Sequence, residues 1–137
     1  MEAKNFRIGN FIASSGNPEN IETWVIGKVY SISSMDSKFE QIEIETEEEF
    51  TWFFKDNYFG IPLTEKWLIN FGFIGQPCDY TKDKLSVCLK GSDSFHKAGR
   101  TYYNSWAILE KQPTYVHELQ NLFFAITGTE LELKTDA

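Results

Sequence analysis

The stretch Lys90-Gly-Ser-Asp-Ser-Phe-His-Lys-Ala-Gly-Arg-Thr101 is the part of the chain best suited to hold an anion. Lys90, His96, Lys97 and Arg100 cluster there with Ser92, Ser94 and two glycines. Serine hydroxyls and exposed backbone N–H groups can hold phosphate oxygens, and an arginine adds a two-pronged fork. The run lacks the G-x-x-x-x-G-K-[ST] spacing of a P-loop. It reads either as a site for a nucleotide or similar anion, or as a solvated hairpin tip.

Catalytic chemistry is poorly represented. Cys88 with His96 or His117 would make a nucleophile and base, but no local nucleophile motif supports the pair. Ser86, Ser92 and Ser94 sit in no G-x-S-x-G elbow. His117 and Glu118 are neighbours on a helix, so they do not face each other. No H-E-x-x-H motif exists, because position 121 is Asn. The two cysteines, Cys78 and Cys88, are too few for a four-thiolate zinc site. The expectation is a chain that is not an enzyme and carries no metal or cofactor. An enzyme using Cys88 or a histidine is the weaker alternative.

Charge narrows the partners. Asp and Glu number 20 against 13 Lys and Arg, a formal charge of −7. That balance argues against a nonspecific nucleic-acid binder, which needs positive surface against phosphate. Six glutamates fall between Glu40 and Glu49. They can meet a basic partner or mimic a phosphate backbone, or they are the solvated side of a strand and its turn. Calcium fits less well, since EF-hand spacing is absent. The N-terminus shows no export signal and no segment approaches the roughly 20 apolar residues that span a bilayer. A cytoplasmic protein with free thiols and no membrane contact is expected.

Aromatic residues are abundant, with 12 Phe, 6 Tyr and 4 Trp. In Phe50-Thr-Trp-Phe-Phe54 they fall on both sides of a strand. Such a strand is buried on both faces or offers one to a partner. Trp52, Phe53, Tyr58 and Phe59 are the candidate interface residues, because aromatic surfaces suit protein contacts.

These residues need elements to hold them, and the chain reads as a single α+β domain over 1–137. Residues 1–60 read as short strands: 6–12, 24–32, 39–46 and 50–54, with turns between. Trp24, Ile26, Tyr30 and Ile32 are expected on one side, and Gly27 marks a bend, a bulge or a close strand approach. Ile42 and Ile44 point away from Gln41, Glu43 and Glu45. A small curled antiparallel, SH3-like sheet is the expected product. A short central helix begins at Thr64, a cap residue, and stops at Gly72. Residues 74–83 read as loop, and strands 84–89 and 101–109 as a long-looped hairpin. The last helix is amphipathic, capped by Thr114 and ended by Gly128. Its stripe of Val116, Leu119, Leu122, Phe123 and Ile126 is expected to pack on the sheet. Gln120 and Asn121 read as amides that fix how the helix docks or bind a ligand. Residues 130–134 read as an edge strand.

The run Tyr115-Val-His-Glu-Leu-Gln-Asn-Leu-Phe-Phe-Ala-Ile-Thr-Gly-Thr-Glu-Leu131 resembles a signature of short uncharacterised proteins from Bacteroidota genomes and their phages. Phe6-Arg-Ile-Gly-Asn-Phe11 and Gly60-Ile-Pro-Leu-Thr-Glu-Lys-Trp-Leu-Ile-Asn-Phe-Gly-Phe73 are similar too. The resemblance implies a bacterial or phage cytosolic setting and brings no catalytic residue with it. Taken with the charge and the aromatics, the expected function is a non-catalytic binding protein of phage or mobile-element origin. It would act through protein–protein contacts, self-association included. The alternative is a protein that binds or sequesters a nucleotide-like anion with the 90–101 loop.

Overall fold

The computed structural model describes residues 5–15, 17–33, 41–46, 49–54, 57–76, 79–89, 101–104, 106–109 and 111–134, with backbone alone at 53, 54 and 76. The chain is α+β, with two antiparallel sheets and one main helix. It divides into two compact units, Met1–Ile61 and Pro62–Ala137.

The first unit holds β1 (Phe11–Ser14), β2 (Val25–Ser33), β3 (Gln41–Glu45), β4 (Phe50–Phe54) and β5 (Tyr58–Phe59). They form one five-stranded sheet in the order β4-β3-β2-β1-β5. β4 and β5 stand at opposite ends of that order, so the sheet is open and not a closed barrel. The first strand starts later than the expected 6–12. Arg7–Asn10 is a turn: the Arg7 N–H donates to Asn10 Oδ1 at 2.7 Å, the Asn10 N–H donates to the Arg7 carbonyl at 3.0 Å, and Gly9 has φ +95°. Glycine reaches that region without a Cβ clash, which makes the turn accessible here.

The core of this unit is Phe6, Ile12, Val29, Ile42, Ile44 and Tyr58, with Ile32 packed against it. Gly27 marks a close strand approach. A Cβ there would overlap Ile44 Cγ2 and lie 2.8 Å from the Glu45 carbonyl oxygen. The β2–β3 register then shifts between Val29 and Ser31. Val29 faces Ile44, Ser31 faces Glu43, and Ile32 faces Ile42. This bulge at Tyr30 inverts the strand's alternation. Ile32 therefore turns to the core while Tyr30 stays outside with Ile26, which corrects the expectation that they share a side.

The second unit holds α1 (Glu65–Asn70), β6 (Ile74–Gln76), β7 (Asp79–Lys82), β8 (Leu85–Val87), β9 (Thr101–Tyr103), β10 (Trp106–Leu109) and α2 (Val116–Thr127). Its sheet runs β10-β9-β8-β7-β6. Thr64 caps α1 as expected, accepting from the Trp67 N–H at 3.5 Å. The stop also forms as expected: Gly72 has φ +93°, and the Phe73 N–H returns to the Leu68 carbonyl at 2.9 Å.

Within the stretch expected to be loop, Ile74–Gln76 and Asp79–Lys82 are instead the paired strands β6 and β7, with Ile74 across from Thr81 and Gly75 across from Tyr80. Gly75 looked like a loop residue. It is needed in the strand because a Cβ there would strike the Asp79 carbonyl. Asp83 and Lys84, at φ 48° and 75°, make the tight turn into β8. The expected return strand 101–109 is two strands, broken at Asn104, whose φ is 51°.

α2 ends at Gly128, φ +74°, as its sequence indicates. Its N-cap is Tyr115 rather than Thr114. Glu118 reaches back, and its Oε1 accepts from the Thr114 and Tyr115 N–H groups, both at 3.0 Å. The buried side is Val116, His117, Leu119, Gln120 and Phe123. Leu122 and Ile126 are only half-buried, so the buried stripe is rotated from the expected one. Phe123 meets Phe73 edge-on at 6.5 Å between ring centroids. Lys82 Nζ lies 5.8 Å from the Phe123 ring centre and donates to the Phe71 carbonyl at 2.6 Å. Residues 130–134 form no strand; the Lys134 N–H instead donates to the Asn70 carbonyl at 2.7 Å.

Candidate functional site

The anion-loop residues Lys90, Ser92, Ser94, His96, Lys97 and Arg100 lie outside the described residues. The catalytic candidates that are described have structural surroundings. Cys88 is a buried free thiol, and its N–H donates to Gln112 Oε1 at 2.8 Å. Ser86 stands across from Thr81 on β7, hydroxyl to hydroxyl at 3.1 Å. His117 is buried and stacked on Tyr115, centroids 5.7 Å apart. Burial pushes its imidazole pKa down, and the Glu118 carboxylate partly opposes this. Gln120 is buried and Asn121 is half-buried. Among the described residues no three His, Cys, Asp or Glu side chains gather as metal ligands. No described helix is long and apolar enough to cross a membrane. An open depression of about 280 Å³ beside α1 is lined by Glu65, Lys66, Ile69 and Asn70.

The surface that stands out is the outer face of the first sheet. Strand register builds it. Glu43 faces Trp52 and Glu45 faces Phe50 across the β3–β4 pair. Lys28 on β2 faces Glu45 of β3 on one side and Phe11 of β1 on the other. Its Nζ lies 5.7 Å from the centre of the Phe11 ring. Tyr30, displaced outward at the bulge, meets Phe50 at 4.9 Å and 65°. Further along, Phe59 and Ile26 both stand across from Ala13, and Trp24 packs on Phe59 at 4.9 Å. Tyr30 is 53% exposed, Phe50 54%, Trp52 40% and Ile26 39%. The opposite face is filled by the core cluster of Phe6, Ile12, Val29, Ile42, Ile44 and Tyr58, and these rings are not part of it.

The four expected interface residues separate on this sheet. Trp52 is on the exposed face. Phe59 is half-buried against Trp24. Tyr58 is 3% exposed and packs edge-on with Phe6, so it is a core residue and not a contact for a partner. Phe53 stands at the register position across from buried Ile42; its side chain lies outside the described residues. Tyr30, Phe50 and Glu43 were missed as site residues. The alternation of Glu43 and Glu45 against Ile42 and Ile44 was visible in the sequence. Their aromatic neighbours depend on which strands pair, and local spacing does not carry that. A second apolar strip lies on β10, an edge strand whose Trp106 is 76% exposed.

No protein-family model, curated protein or solved structure matches the chain.

Proposed function

We propose that the chain is a non-catalytic binding protein that works through protein contacts on the outer face of its first sheet, with a second copy of the chain among the partners it can take. The observation that carries this reading is the group of half-exposed rings Tyr30, Phe50 and Trp52. Aromatic residues concentrate at protein interfaces, where a large rigid ring gains much contact area at little entropic cost. A contiguous apolar patch on a soluble surface marks a contact site more often than scattered single residues do. The interspersed Glu43, Glu45 and Lys28 give the face a polar component, as transient interfaces have.

Native mass spectrometry on tagged protein gently isolated from cell extract tests this. Wild type should carry a stoichiometric protein subunit. Trp52→Ser should lose it while keeping the wild-type urea midpoint. Retention of the subunit by the variant, or collapse of its fold, would sink the interface.

A further inference from the structure

Glu43 and Trp52 stand directly across from each other on the outer face. Side chains so opposed have Cβ atoms about 4.5–5.5 Å apart, within reach of one incoming group. Ser31 donates its hydroxyl to Glu43 Oε1 at 3.0 Å, which steadies the carboxylate. The next outward pair repeats the combination, Glu45 across from Phe50. Carboxylate and aromatic ring thus alternate across β3 and β4.

That pairing fits one kind of side chain. A guanidinium is planar, stacks on an aromatic ring, and matches a carboxylate with its fork of N–H donors. The face already holds a cation this way, since Lys28 sits over Phe11 and across from Glu45. A phosphate would be repelled by the same carboxylates. β4 is also the last strand in the sheet order. An extended segment pairing with its outer edge would set alternate side chains on the face that carries Phe50 and Trp52.

We propose that this face receives an arginine-bearing extended segment of a protein partner, with a guanidinium lying on Trp52 and paired with Glu43. The proposal rests on the interface reading above and names the partner's chemistry. The chain's formal charge of −7 favours approach of such a segment.

Fluorescence anisotropy with a labelled peptide of alternating arginine and threonine tests it, with citrulline replacing arginine in the control peptide. The arginine peptide should bind about tenfold tighter than the control at low salt. Glu43→Gln and Trp52→Leu should each weaken it about fivefold or more, and Trp52→Phe, which keeps a ring, by less. Glu132→Gln, an exposed carboxylate of the second unit, should leave affinity unchanged. Equal losses in Glu43→Gln and Glu132→Gln would reduce the binding to general charge attraction and overturn the proposal. Failure of the arginine peptide to bind would overturn it as well. If Trp52→Ser still released a protein subunit in that case, the interface would stand and only its arginine chemistry would fall.

Discussion

Tyr30 and Phe50 meet edge-to-face on the outside of the first sheet, ring centroids 4.9 Å apart at 65°. They meet because β2 gains a residue against β3 after Val29. That extra residue keeps Tyr30 outside and returns Ile32 to the core. One irregularity thus completes the core and leaves an aromatic pair facing solvent.

Gly27→Ala should destabilise the first unit. The new methyl group would overlap Ile44 Cγ2 and crowd the Glu45 carbonyl, so a packed strand must shift. Overpacking of this kind costs about 1–3 kcal/mol. Urea unfolding should show the midpoint fall with the slope unchanged. An unchanged midpoint would mean that β2 and β3 are not so closely apposed.

Core and face should respond in opposite ways to truncation. Ile44 is fully buried, and Ile44→Ala should cost about 2–5 kcal/mol through lost burial and the cavity it leaves. Trp52→Ala, on the exposed side, should cost well under that. Paired urea titrations decide it, and a Trp52 cost equal to that of Ile44 would place the indole in the core.

Glu118→Ala should weaken α2. The carboxylate accepts from two N–H groups at the helix start, Thr114 and Tyr115. Losing it leaves both donors to water, at about 1–2 kcal/mol. Thermal melts followed by circular dichroism should record a lower Tm, and Glu118→Gln, which keeps an acceptor oxygen, should recover part of it.

His117 should make stability depend on pH. Its imidazole is held below the ordinary value, chiefly by burial, with Glu118 pulling the other way. The unfolded chain then binds a proton that the folded chain resists. The contribution is fully present above about pH 6.5, the unfolded value, and is lost as pH falls through the lower folded value. Tm should therefore drop on acidification below about pH 6.5, more steeply in wild type than in His117→Phe. Parallel slopes would remove His117 as the cause.

Short-range signals in the sequence were legible where one residue decides the outcome. Thr64, Gly72 and Gly128 mark helix ends by their own chemistry, and each does so in the structure. The alternation at 41–45 placed Ile42 and Ile44 inward correctly. The β6–β7 hairpin was not legible, because Gly75 and its polar neighbours read as loop until the pairing strand is known. The face of Ile32 was hidden for a related reason, since a bulge belongs to two strands and not to one spacing. On α2, His117 and Gln120 are buried beside apolar residues, so the hydrophobic stripe alone mispointed the helix. Trp52 was singled out from its strand, whereas Glu43 opposite it needed the β3–β4 register.

A photocrosslinking residue placed at position 52 tests the central claim most directly, with position 132 in the second unit as the exposed control. Illumination in cells should join position 52, and not position 132, to a defined protein, which peptide mass spectrometry then identifies as a second copy or another chain. Equal labelling at both positions, or none at 52, would contradict an interface on the outer face of the first sheet.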